Sequence, residues 1–61
     1  MYTISGKFLG QARYLPMDLI KGIQVFNVIH ATVFSKKEEA ERVLDELTYL
    51  NDKVVFRIDK R

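Results

Sequence analysis

Hydrophobic and polar residues alternate along the first part of the chain, over residues 2–14. A period of two is typical of a strand with one buried face. Gly6 and Gly10 interrupt the inward face, where each predicts a bulge or a sharp twist. The predicted inward face holds Tyr2, Ile4, Phe8, Ala12 and Tyr14, and the outward face holds Thr3, Ser5, Lys7, Leu9, Gln11 and Arg13.

Residues 15–23 are predicted to connect two strands, because Pro16 is unfavourable in a central strand and Gly22 permits a turn. The apolar side chains of this connection are Leu15, Met17, Leu19, Ile20 and Ile23. They either fold under the edge of the sheet or stay exposed for a partner. We favour the first alternative, because loops of small domains often cover the open end of a core.

The densest run of β-branched and aromatic residues, 24–34, predicts the second strand. Two sets of side chains compete for its buried face. One set is Val25, Ile29, Ala31 and Val33, and the other is Phe26, Val28 and Phe34. The second set shares its side with His30 and Thr32, so it is predicted to point outward.

An amphipathic helix is predicted over residues 35–50, with apolar side chains at steps of three and four residues. Ser35 as the N-cap and Glu38 three residues later would form a capping box. Asn51 is predicted to end the helix in the left-handed conformation. The apolar stripe consists of Ala40, Val43, Leu44, Leu47 and Leu50.

A last alternating run, 53–59, completes the order β-β-α-β in a single small domain, 1–61. We therefore predict an α+β fold in two layers, a three-stranded antiparallel sheet of order 2-1-3 with one helix on one face. The opposite sheet face has no second helix to cover it. The predicted core is Ile4, Phe8, Ile29, Val33, Val43, Leu44, Leu47, Val54, Phe56 and Ile58.

The small size of the chain, 61 residues, limits the core that it can form. A domain of this length buries only about 60% of the surface that its unfolded chain exposes. There is no cysteine for a disulfide or a thiolate metal site. Close packing or association with another chain therefore has to supply the stability. No apolar run is long enough to span a bilayer and no signal peptide is visible, so we expect a cytoplasmic protein without a membrane partner.

Charge is distributed unevenly along the chain, although the net charge is only +2. Residues 35–50 carry three cations and five acids, whereas the remainder carries seven cations and three acids. One layer of the fold is thus predicted to be acidic and the other basic, an asymmetry that can steer an anionic partner.

Residues suited to catalysis or metal binding are few. His30 is the one histidine, and no second histidine or cysteine accompanies it for zinc. The acidic side chains of the helix lie on a face that we expect to be solvated, whereas acid–base catalysis needs a carboxylate in a dry cleft. We expect no catalytic residue, no metal and no cofactor, and hence no enzyme.

The sequence leaves two functional hypotheses. The favoured one is a non-catalytic protein-interaction module of the inhibitor or adaptor type, which binds a partner or forms a homodimer through the open sheet face or a strand edge. Phage-encoded inhibitors are one setting for such proteins. The alternative is nucleic-acid binding without sequence specificity, through a basic sheet face. The predicted partner-binding residues are Lys7, Leu9, Gln11, Arg13, Phe26, His30 and Arg57, with the apolar connection beside them.

Overall fold

Within the residues that the structure describes, a three-stranded antiparallel sheet packs against one α-helix. The computed structural model describes residues 1–25 and 32–61. The strands are β1 (Tyr2–Phe8), β2 (Leu15–Pro16) and β3 (Val54–Lys60), and the helix α1 spans Lys37–Leu50. The strand order is β2-β1-β3 and both pairs are antiparallel, which confirms the predicted α+β class and the order 2-1-3.

The first strand is shorter than predicted, because the chain turns directly after Phe8. Gln11 N donates a hydrogen bond to Phe8 O at 3.0 Å. Within that turn Gly10 has φ +92°, a left-handed value that favours glycine. The prediction of one strand over 2–14 was therefore wrong beyond Phe8.

The second strand is not the predicted one. β2 is the dipeptide Leu15–Pro16, inside the predicted connection, and Pro16 lies opposite Ser5. Proline fits an edge strand, where its missing amide need not bond to a neighbour. Of the predicted strand 24–34, the described residues 24–25 and 32–33 are outside any strand, and the residues between them lie outside the described part.

Among the described residues of that predicted strand, Phe34 alone pairs, in an isolated antiparallel bridge with Tyr2. Its side chain is 3% exposed, whereas that of Val33 is 37% exposed. The predicted orientation was therefore wrong at these two positions, because the bridge turns Phe34 into the core. Ile29, which was also predicted in the core, lies outside the described residues.

The core lies between α1 and the face of the sheet that carries Ile4, Val54 and Phe56. Leu47 is fully buried there. Of the remaining predicted core residues, Val43 is buried, and Phe8, Leu44 and Ile58 are half-buried against the cluster. Gly6 is buried on the same face of β1, and a Cβ atom at this position would lie 2.9 Å from Ile20 Cδ1 and 2.9 Å from Phe56 Cδ1. The glycine is therefore needed for close packing of these side chains.

Both ends of α1 differ from the predicted caps. The N-cap is Lys36, without a side-chain hydrogen bond, so the capping box of Ser35 does not form. The bridge at Phe34 holds the preceding chain extended, and the helix begins only after Lys36. At the other end Asn51 has φ −129°, which is not left-handed. Its buried side chain instead bonds to the backbone of Gln24 and Leu47.

Candidate functional site

Two cations and one aromatic ring meet on the face of the sheet away from α1, which we call the reverse face. The guanidinium carbon of Arg57 lies 4.1 Å from the ring centroid of Tyr14, and Lys7 Nζ lies 5.2 Å from it. Both distances are within the range of a cation–π interaction. We call these three residues the sheet cluster.

Strand pairing and one turn bring the sheet cluster together. Lys7 lies on β1 opposite Val55, and Arg57 lies on β3 opposite Ser5, so the two cations project from the same face. Tyr14 directly precedes β2. The turn after Phe8 changes the alternation, and this places Tyr14 beside the cations instead of on the predicted inward face.

A carboxylate orients the cluster from one side. Arg57 Nε forms an ion pair with Asp59 Oδ1 at 3.1 Å. Ser5 Oγ donates a hydrogen bond to Asp59 Oδ2 at 2.7 Å. Arg57 is thus held between a ring and an acid, and part of its positive charge is already compensated. Asp59 was not among the predicted partner-binding residues, although alternation places it on the same strand face as Arg57.

The other predicted partner-binding residues are less closely grouped. Leu9, Gln11 and Arg13 are exposed, but they follow β1 instead of lying within it. Phe26 and His30 lie outside the described residues. The role of all these side chains in partner binding remains a prediction.

The apolar connection divides between the core and the surface. Met17 and Ile20 are buried and Ile23 is half-buried, whereas Leu15 and Leu19 are exposed. Met17 and Leu19 lie in a single 3-10 turn that follows β2. A cleft of about 370 Å³ borders this turn, and its lining includes Leu19, Thr3 and Asp59. The connection therefore both covers the core and contributes apolar surface.

The outer edge of β3 is the longest strand edge without a neighbour within 1–25 and 32–61. β3 is seven residues long and ends the strand order, with β1 as its single neighbour among the described strands. Backbone groups along such an edge can pair with another chain.

In the described part of the chain, no group of three or more metal-ligating side chains is close enough to hold an ion. The helix there is too short and too polar to cross a membrane. Comparison of the chain with protein-family models, curated proteins and solved structures found no match. The fold thus defines a small α+β protein.

Proposed function

We propose that the chain is a non-catalytic protein-binding module of the inhibitor or adaptor type, which pairs the outer edge of β3 with an extended segment of a partner protein. One observation carries this proposal: among the described strands, β3 is bonded on one side only along its seven residues. An added strand gains main-chain hydrogen bonds at such an edge, and side chains beside it give specificity.

The side chains next to this edge support recognition of a partner with mixed charge. Val55, Arg57 and Asp59 follow one another on the reverse face of β3, and Arg57 is fixed by its contacts with Tyr14 and Asp59. Ordered side chains lose little conformational freedom on binding. A partner strand with an acid and a base at alternate positions would complement them.

The experiment compares two substitutions at Lys60, an exposed residue at the end of β3. Lys60→Pro removes a backbone donor from the edge, whereas Lys60→Ala removes the side chain and keeps the donor. Tagged wild-type and variant proteins are used for capture from a native lysate. Captured proteins are identified, purified and titrated directly against each variant.

We expect Lys60→Pro to weaken a direct complex at least about tenfold, while Lys60→Ala changes it little, because main-chain bonds dominate strand addition. Circular dichroism checks that each variant remains folded. Equal binding by both variants, or the absence of any protein that binds directly, a second copy of this chain included, would overturn the proposal.

Nucleic-acid binding through the reverse face is the second candidate, and the sheet cluster favours it. Lys7 and Arg57 lie together there, and Arg13 is exposed on the segment that leads to Tyr14. The guanidinium of Arg57 already occupies one face of the ring, so contact with phosphates is favoured over stacking of bases. Such binding weakens steeply as salt increases.

A gel-shift titration at low and at moderate salt tests this candidate, with single- and double-stranded DNA and RNA. Replacement of Lys7, Arg13 and Arg57 by alanine should abolish the shift, whereas Lys21→Ala, on the connection, should have a smaller effect. Absence of a shift at low salt with every nucleic acid would exclude this function.

A further inference from the structure

Backbone groups along β3 point alternately toward β1 and toward the outer edge. At one end of the ladder Leu9 N donates to Lys53 O at 3.0 Å, and at the other Arg61 N donates to Met1 O at 2.7 Å. Hydrogen-bonded pairs recur at every second residue of an antiparallel ladder. The odd-numbered residues of β3 therefore bond to β1, and the even-numbered ones present their N–H and C=O groups to the outer edge.

Three amides of this edge are available for a new strand within the described structure. The amide of Val54 already donates to Asn51 O at 3.4 Å, in the turn between α1 and β3. The remaining outward amides belong to Phe56, Ile58 and Lys60. They recur at every second residue from Phe56 to Lys60, the last residue of the strand.

We propose that a second copy of this chain occupies the edge, with the two β3 strands antiparallel and a two-fold axis at Ile58. This inference rests on the proposed function, since it names the partner class for the same edge. In this register Ile58 faces its own equivalent and Phe56 faces Lys60 of the partner subunit. Each such pair exchanges two hydrogen bonds, and together they use the three available amides.

Charge complementarity selects this register over its neighbours. With the axis at Ile58, Arg57 lies opposite Asp59 of the partner subunit, and the same contact recurs on the other side of the axis. These are non-hydrogen-bonded pairs, in which side chains approach most closely. Arg57 Nε and Asp59 Oδ1 are already 3.1 Å apart within one chain. The centre of the dimer would therefore hold two cations and two acids, each next to charges of the opposite sign.

The neighbouring registers are less favourable. An axis at Arg57 or at Asp59 sets two identical charges opposite each other, which is destabilising. An axis at Phe56 pairs Val54 with Ile58 of the partner subunit. That register needs the amide of Val54, which already donates a hydrogen bond to Asn51 O.

Cysteine cross-linking tests the register, because the chain has no cysteine of its own. Phe56→Cys, Arg57→Cys and Ile58→Cys are prepared separately and oxidised under identical conditions. A residue on the axis faces its equivalent at a Cα separation of about 5.5 Å, which suits a disulfide. We expect Ile58→Cys to form covalent dimers several times faster than the other two. Faster dimer formation by Phe56→Cys or Arg57→Cys would overturn the register.

Charge reversal provides a second test, by sedimentation of the proteins over a range of concentrations. Arg57→Asp and Asp59→Arg should each weaken the homodimer at least about tenfold, because two symmetric pairs become repulsive. An equimolar mixture of the two variants should regain association, since acids then face bases at every pair. Lys53→Asp is the matched control, because Lys53 is exposed and precedes β3, outside the three hydrogen-bonded pairs of this register, and it should leave the dimer unchanged.

The outcomes separate this inference from the proposed function. A wild-type chain that stays monomeric at high micromolar concentration overturns the dimer, and so does a mixture of charge variants that fails to associate. If Lys60→Pro still abolishes a direct complex with another protein, the proposed function stands although the dimer does not. A monomeric wild-type chain together with unchanged binding of Lys60→Pro to every direct partner would overturn both the dimer and the proposed function.

Discussion

The side-chain amide of Asn51 holds both backbone polar groups of Gln24. Its Oδ1 accepts a hydrogen bond from Gln24 N at 2.6 Å, and its Nδ2 donates to Gln24 O at 2.9 Å. Nδ2 also donates to Leu47 O at 3.0 Å, near the end of α1. A single buried side chain thus joins Gln24, the residue after the connection, to the C-terminal end of the helix.

Asn51→Ala is expected to reduce the free energy of unfolding by about 2 kcal/mol, because the part-buried backbone groups of Gln24 lose their hydrogen-bond partner. Asn51→Asp should also destabilise the fold, since a carboxylate cannot donate to the two carbonyl oxygens. Urea denaturation measures both variants. Asp52→Ala, at the exposed neighbouring position, is the control and should change the free energy by less than about 0.5 kcal/mol. An equally small change in Asn51→Ala would contradict the contact.

Gly6→Ala is expected to destabilise the protein by about 1–3 kcal/mol through overpacking. The new Cβ atom would lie 2.9 Å from Ile20 Cδ1 and 2.9 Å from Phe56 Cδ1. Combining it with Ile20→Val, which removes the first of these atoms, should restore part of the loss. Thermal and urea unfolding of the two single variants and the double variant provide the comparison.

Gly10→Ala is a useful contrast to the substitution at Gly6. No atom lies within 4 Å of a Cβ at this position, but its φ of +92° is unfavourable for alanine. Ile20→Val should therefore not compensate this variant. Equal compensation at both glycines would show that the loss at Gly6 is not steric.

The contact between Arg57 and Tyr14 is expected to contribute about 0.5–1 kcal/mol as a coupling energy. A double-mutant cycle with Arg57→Gln and Tyr14→Leu measures it through the free energy of unfolding. A control cycle combines Tyr14→Leu with Lys53→Gln, because Lys53 is exposed and does not contact the ring. That second cycle should be additive, and a zero coupling in the first would exclude a stabilising cation–π contact.

The N-terminus of α1 can be stabilised by one substitution. Lys36 is the N-cap and makes no side-chain hydrogen bond, so Lys36→Asp introduces an acceptor for the first amides of the helix. It also replaces a cation with an acid at the positive end of the helix dipole. We expect a gain of about 1 kcal/mol in the free energy of unfolding. Lys36→Ala removes the cation alone and should gain less, and Ser35→Ala should be nearly neutral because the capping box is absent.

Part of the candidate site followed from alternation alone. Lys7 and Arg57 were predicted on the same sheet face, and the structure brings both to one ring. The position of Tyr14 could not be predicted in this way. It depends on the turn at Gly10, and a glycine in an alternating run is equally compatible with a bulge and with a turn.

The sequence alone determined the elements whose patterns are local and continuous, which are β1 at its start, α1 and β3. The hydrophobic periodicity of each element is visible within a short stretch of sequence. It can therefore be recognised without knowing which distant segment the element packs against. The same patterns were enough to place β3 antiparallel beside β1.

Tertiary structure decided which short segment became the second strand. Residues 24–34 have the stronger strand composition, yet among the described residues Leu15–Pro16 forms β2, and Phe34 pairs with β1 through a single bridge. The pairing of a segment with β1 depends on which residues the turn after Phe8 brings beside that strand. It also depends on the burial of Met17, Ile20 and Phe34 in the core. Strand propensity describes how well a residue fits a sheet surface, and only the folded chain determines which segment reaches that surface.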